Sequence, residues 1–184
     1  DDEPAVCRAA LAPAQPAREQ PLQAFGSVVA ALLGEHPLDL LELHYKGMHH
    51  EQMGNGYTSL FFLDEVTALA AGHRPCFFCR RVEAKQFVSL SGLSTNVLDA
   101  QLQQERTSPR PPAANHAVCD GAVIEQGGKS FALRDGAFLQ WYFTGYAKTS
   151  GFNLAADAKL LTPPTILAIL ARGFQPRWHA SANM

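Results

Sequence analysis

A helix stop followed at once by a cysteine pair constrains this chain more than any other stretch. Gly72-His73-Arg74-Pro75-Cys76-Phe77-Phe78-Cys79 comes directly after an Ala-rich run over 64–71. Asp64 can cap a helix there, its carboxylate accepting a hydrogen bond from an otherwise unpaired first-turn amide. Gly72 stands where a left-handed C-terminal residue is wanted. Pro75 keeps the helix from resuming. The loop bearing Cys76 and Cys79 is thus expected to be placed by a helix stop, which suits a metal knuckle. Two thiolates at that spacing can share one tetrahedral ion, with zinc the expected metal. A redox C-x-x-C more often opens a helix after a strand, so that reading fits less well. The plain alternative is a pair of buried thiols with no metal.

Two ligands do not make a site. Cys7 and Cys119 are isolated, and His36, His44, His49, His50, His73, His116 and His179 are all eligible partners. Pro37 opens an extended stretch over 38–45, and Lys46-Gly47 can turn it back into 48–53. With Lys46 and Gly47 as loop residues, Tyr45 faces Met48 and His44 faces His49. Cross-strand neighbours have Cβ atoms about 5 Å apart, close enough for two imidazoles to reach one ion. The expected ligand set is Cys76, Cys79, His44 and His49, with Glu42 or Glu51 as an outer carboxylate. Those four hairpin residues could instead form a hydrolytic site of nitrogen and oxygen ligands, or a solvated strand face. His50-Glu51-Gln52-Met53-Gly54 begins like H-E-x-x-H, but Gly54 stands where the second His must be.

The rest of the chain reads as an ordered series of short elements. Residues 1–21, rich in Ala, Pro, Gln and charge, are expected to be a mobile tail. A helix is expected over 25–33, a strand over 57–63, and helices over 82–90 and 95–106. Residues 107–116 hold Thr-Ser-Pro-Arg-Pro-Pro and read as a linker. Beyond it the period changes to 2. Strands over 117–125, 129–134 and 137–143 form a meander, turned by Gly127-Gly128 and Asp135-Gly136. Gly127-Gly128-Lys129-Ser130 lacks the spacing of a phosphate loop and is a hairpin turn. Thr162 is expected to cap a last helix over 165–172, with Pro163 and Pro164 in its first turn. Gly173-Phe174-Gln175-Pro176 repeats the Gly-x-x-Pro of 72–75. It marks either a second helix stop of the same kind or a duplicated module that has lost its cysteines. Trp141, Tyr142, Phe143 and Tyr146 are either core or stacking residues, and alternation would bury about half of them.

Residues 62–79 resemble a known family. Glu65, Ala68-Leu69-Ala70-Ala71-Gly72 and Arg74-Pro75-Cys76-x-x-Cys79 are similar to the second half of the zinc-binding domain of Ada-type alkylation-repair proteins. In that family a helix ending Ala-Ala-Gly leads into Arg-Pro-Cys-x-x-Cys, the second pair of zinc ligands. The resemblance implies that Cys76 and Cys79 hold zinc. The same small module resembles zinc appendages on some nucleases, and 57–81 resembles an uncharacterised group of bacterial proteins. The family's first two ligands are cysteines, one of them the methyl acceptor, yet no cysteine lies between Cys7 and Cys76. Methyl transfer is not expected, because imidazole lacks the softness and nucleophilicity of a zinc thiolate.

Charge and composition bound the remaining choices. A net charge of -2 excludes a chain that binds nucleic acid by bulk charge. Arg74, Arg80, Arg81 and Lys85 nevertheless cluster at the C-x-x-C and are the expected nucleic-acid contacts. Four cysteines in 184 residues are too few for a disulfide framework. No apolar run is long enough to span a bilayer and no signal peptide is read, so a cytoplasmic protein is expected. The expected fold is α+β: a knuckle module of β-hairpin and short helices over 22–106, then an antiparallel β-meander and C-terminal helix over 117–184, packed as one unit. The expected function is a zinc-stabilised intracellular binding protein that contacts nucleic acid, its zinc structural. The alternatives are a metal-dependent hydrolase or nuclease, and a metal-free interaction protein.

Overall fold

The computed structural model describes residues 60–183 and, before them, four short strands: β1 Arg8–Leu11, β2 Asp39–Leu41, β3 His44–Tyr45 and β4 Met48–His49. The helix expected over 25–33 lies outside the described residues. The remaining elements are β5 Leu60–Phe62, α1 Glu65–Ala70, β6 Arg74–Pro75, α2 Arg81–Ser91, α3 Thr95–Thr107, β7 Val123–Gln126, β8 Lys129–Arg134, β9 Ala137–Tyr142, β10 Gly145–Lys148, β11 Lys159–Leu160 and α4 Pro164–Ala171. Single 3-10 turns occur at Ala113–Asn115 and Ala180–Ala182. The fold is α+β, as expected.

The second half is the expected antiparallel meander, extended at both edges into a five-stranded sheet of order β10-β9-β8-β7-β11. Its two central turns follow from residue type. Gly127 and Gly128 have φ of +58° and +72°, and Asp135 and Gly136 have φ of +49° and +75°. Two successive positive φ values make the turn whose twist matches that of the flanking strands. The Asp120 carboxylate accepts the Asp135 amide at 3.0 Å, which helps hold the one non-glycine in that conformation. The first meander strand begins at Val123 rather than 117, because Gly121 bends the chain at φ +87°.

The expected linker is a strap instead. Ala113 is buried, its amide donates to Ala158 O at 2.7 Å, and the Leu160 amide donates to Pro111 O at 2.8 Å. The Pro-rich composition reflects the missing N–H groups of an edge segment. The expected cap of the last helix is also corrected. Thr162 does not cap α4; its hydroxyl accepts the Val123 amide at 2.8 Å. Pro163 and Pro164 leave no nearby N–H for it to cap, and the Thr165 amide goes to Glu105 Oε2 at 3.1 Å.

A second sheet, of order β5-β1-β2-β6, is parallel throughout. β1 lies within the segment expected to be a mobile tail. Its Arg-Ala-Ala-Leu run pairs with β2 on one side and β5 on the other. The overall polarity of 1–21 hides this short apolar run. The β3–β4 hairpin has the expected register, His44 opposite His49 and Tyr45 opposite Met48.

Helix α1 lies at the centre. Every residue of it is buried, as befits a helix packed on all sides. Val66 and Ala70 meet Val123, Leu139, Trp141 and Tyr146 of the meander. Leu69 meets Phe87, Leu98 and Leu102 of α2 and α3 and Ile166 and Ile169 of α4. The core therefore mixes residues from both halves of the chain.

Candidate metal centre

The sequence sets the cysteine loop by stopping α1. Asp64 caps the helix, Oδ1 accepting the Thr67 amide at 2.9 Å and the Thr67 hydroxyl at 2.7 Å. At the other end Gly72 takes φ +84°. The Gly72 amide donates to Leu69 O at 2.8 Å and the His73 amide to Ala68 O at 3.0 Å, which satisfies carbonyls the helix leaves open. Helix α4 ends the same way: Gly173 has φ +99°, with Gly173 N on Leu170 O at 2.9 Å and Phe174 N on Ile169 O at 3.3 Å. The likeness between the two stretches is that of two helix stops.

After the stop, β6 runs parallel to β2, with Asp39 opposite Arg74 and Leu40 opposite Pro75. Cys76 leaves the end of β6 into a tight turn. The Arg80 amide donates to Cys76 O at 2.9 Å, and the Phe78 amide donates to Cys76 Sγ at 3.3 Å. Cys76 and Cys79 are buried, each 9% exposed. Two shielded soft donors on one turn, one already accepting a backbone N–H, fit a zinc ion's preferences.

The strand before the hairpin pairs with the strand before the cysteines. The β2–β6 pairing ends with Leu40 opposite Pro75, and Leu41 and Cys76 are the next residues along the two segments. His44 follows three residues later, a span of at most about 10 Å. The strands that precede the hairpin and the cysteine turn in the chain, β2 and β6, are thus neighbours in one parallel sheet. The His44 and His49 side chains, with Glu42 and Glu51, lie outside the described residues. Among the described residues there is no group of three or more His, Cys, Asp or Glu that could hold a metal.

The four basic residues expected to meet nucleic acid do not form one surface. Arg74 is buried, with Nε and Nη2 on Asp99 Oδ1 and Oδ2 at 2.6 and 3.0 Å and its guanidinium 5.2 Å from the Phe77 ring centre. Arg80 is buried, with Nη1 and Nη2 on Glu65 Oε1 and Oε2 at 2.7 and 3.2 Å. Arg81 and Lys85 are exposed on α2. Clustering in sequence could not reveal this, because the partner carboxylates lie 25 residues after Arg74 and 15 before Arg80. Three residues before Arg81 in the chain, Phe78 is 55% exposed. In the aromatic cluster Trp141 and Tyr146 are buried, while Tyr142 and Phe143 are exposed.

Two polar residues near the turn have surroundings that the sequence does not reveal. Asp64 serves as more than a cap: Oδ2 accepts the Tyr146 hydroxyl at 2.9 Å and the His179 amide at 3.0 Å. His73 is fully buried, with neither ring nitrogen hydrogen-bonded, and its ring meets Phe62 edge-on at 4.8 Å. Burial first, and then the Arg106 charge, push its pKa down to about 3. The sequence signal for both was the helix-stop pattern itself, which puts Asp64 and His73 at the two ends of a buried helix.

No family model, no curated protein and no solved structure matches the chain.

Proposed function

We propose that this chain is a binding protein stabilised by a structural zinc ion held by Cys76, Cys79, His44 and His49. The observation that supports it most is the parallel pairing of β2 with β6, because these are the strands that precede the histidine hairpin and the cysteine turn in the chain. With four protein ligands the ion has no open position and serves the fold. The partner we propose is nucleic acid, met by Phe78 of the turn and by Arg81 and Lys85 of α2. An aromatic face beside two cations can stack a base and contact its phosphates.

Metal content of protein purified without chelator tests the first part. One zinc per chain, lost together with part of the stability in Cys76→Ser, is expected, and absence of zinc overturns it. A salt titration of oligonucleotide binding tests the second part. Binding should weaken as salt rises, and less steeply in Arg81→Ala.

A further inference from the structure

We infer that the Cys76–Cys79 turn and the C-terminal segment 177–182 are joined through Arg80 and Glu65, so that metal at the turn fastens that segment. The inference rests on the zinc reading above.

Arg80 directly follows Cys79, and its amide closes the turn on Cys76 O at 2.9 Å. An ion that fixes the two sulfurs therefore fixes where the Arg80 side chain starts. That side chain, 2% exposed, grips both oxygens of Glu65, which is 0% exposed. Glu65 in turn holds the backbone of Arg177. Its Oε2 accepts the Arg177 amide at 2.8 Å, and its own amide donates to Arg177 O at 3.2 Å. The Arg177 guanidinium reaches Glu83 at 2.8 Å, in the first turn of α2. Two residues on, the His179 amide sits on Asp64 at 3.0 Å. Between them Trp178 packs edge-on to Tyr146 at 5.5 Å. The Ser181 hydroxyl then accepts the Tyr146 amide at 2.8 Å, laying the segment along β10.

A buried carboxylate cannot tolerate loss of its cation. If the turn loosens and Arg80 shifts, Glu65 must follow it or take up water. Either way the Arg177 backbone loses its acceptor. Arg80 is thus a positioning residue that passes the state of the turn to segment 177–182 along β10.

Hydrogen exchange followed by mass spectrometry on the full chain reads this directly. The zinc-loaded protein should protect peptides covering 174–183. Chelation should speed their exchange at least tenfold while a meander peptide covering 129–142 stays unchanged. Arg80→Lys keeps the charge but gives up the two-pronged grip. It should retain zinc yet exchange over 174–183 like the chelated protein. Zinc loss that leaves 174–183 unchanged, or that loosens 129–142 equally, overturns the inference while leaving the metal reading standing. A protein that takes up no zinc even from added zinc salt overturns both.

Discussion

The Tyr146 hydroxyl donates to Asp64 Oδ2 at 2.9 Å across 82 residues of chain, joining the meander to the cap of α1. The other oxygen of that carboxylate holds Thr67 by amide and hydroxyl, and Trp141 Nε1 donates to the same Thr67 hydroxyl at 3.2 Å. Asp64→Ala would strand the Thr67 and His179 amides and the Tyr146 hydroxyl in a buried site. A stranded buried donor costs about 1–3 kcal/mol, and sharing among neighbours makes the sum less than additive. Urea unfolding should show a loss of about 4 kcal/mol for Asp64→Ala and about 1–2 kcal/mol for Tyr146→Phe. The double variant should lose less than the two separate losses together, because removing both partners leaves nothing stranded between them.

Gly72 is needed twice over. Its φ of +84° disfavours any side chain, and an added Cβ would lie 2.6 Å from Arg106 Cγ and 2.7 Å from Cδ. Arg106 cannot easily yield, since its Nη1 donates to Gly72 O at 2.8 Å within the core. Gly72→Ala should destabilise by about 3 kcal/mol, from left-handed strain plus overpacking. Gly127→Ala has φ +58° and open space around the added Cβ. It should cost about 1 kcal/mol, from strain alone. Thermal midpoints of the two variants give the comparison.

His73 makes stability fall on the acid side. Its pKa is about 3 in the fold against an ordinary 6.5. Above pH 6.5 it is neutral in both states and contributes no pH dependence. Below that, the unfolded chain takes up a proton that the buried ring refuses, with Arg106 adding to the refusal. The contribution is lost at roughly 1.4 kcal/mol per pH unit on going down toward pH 3. Phe174 occupies the matching place after the second helix stop. His73→Phe should therefore be accommodated and should flatten the profile between pH 6 and 4. An unchanged acid slope in urea titrations would sink this account.

What the sequence made legible was local. Asp64 before an Ala-rich run and Gly72 after it define α1. Tyr45 and Met48 on either side of Lys46-Gly47 set the hairpin register, and paired glycines mark the meander turns. What it hid was long-range. β1 and β11 are too short to carry a period, so only pairing with distant strands defines them. The ion pairs of Arg74 and Arg80 look like free surface charge until Asp99 and Glu65 are brought in. Thr162 looks like a cap until the two prolines after it have removed the donors. At the candidate centre the cysteine pair was legible from spacing. The β2–β6 pairing beside it was not, because parallel pairing leaves no local signature.

Metal linkage gives the most discriminating expectation. If one zinc binds the folded chain and not the unfolded one, stability rises by about 1.4 kcal/mol for each tenfold increase in free zinc above the dissociation constant. Unfolding curves in zinc buffers should show that slope in the parent protein. Cys76→Ser and Cys79→Ser each remove a sulfur from the turn and should abolish it. Cys119 supplies the control. It lies against α4, its Sγ 3.8 Å from Leu167 O, and burial raises its thiol pKa. Cys119→Ser should keep the full slope while losing a little baseline stability. His44→Ala and His49→Ala decide whether the hairpin completes the set. If both keep the parent slope, the remaining ligands lie elsewhere and the hairpin is a neighbour of the turn rather than part of the site. If both lose it, the parallel register has done what spacing alone could not, bringing two distant pairs of ligands to one ion.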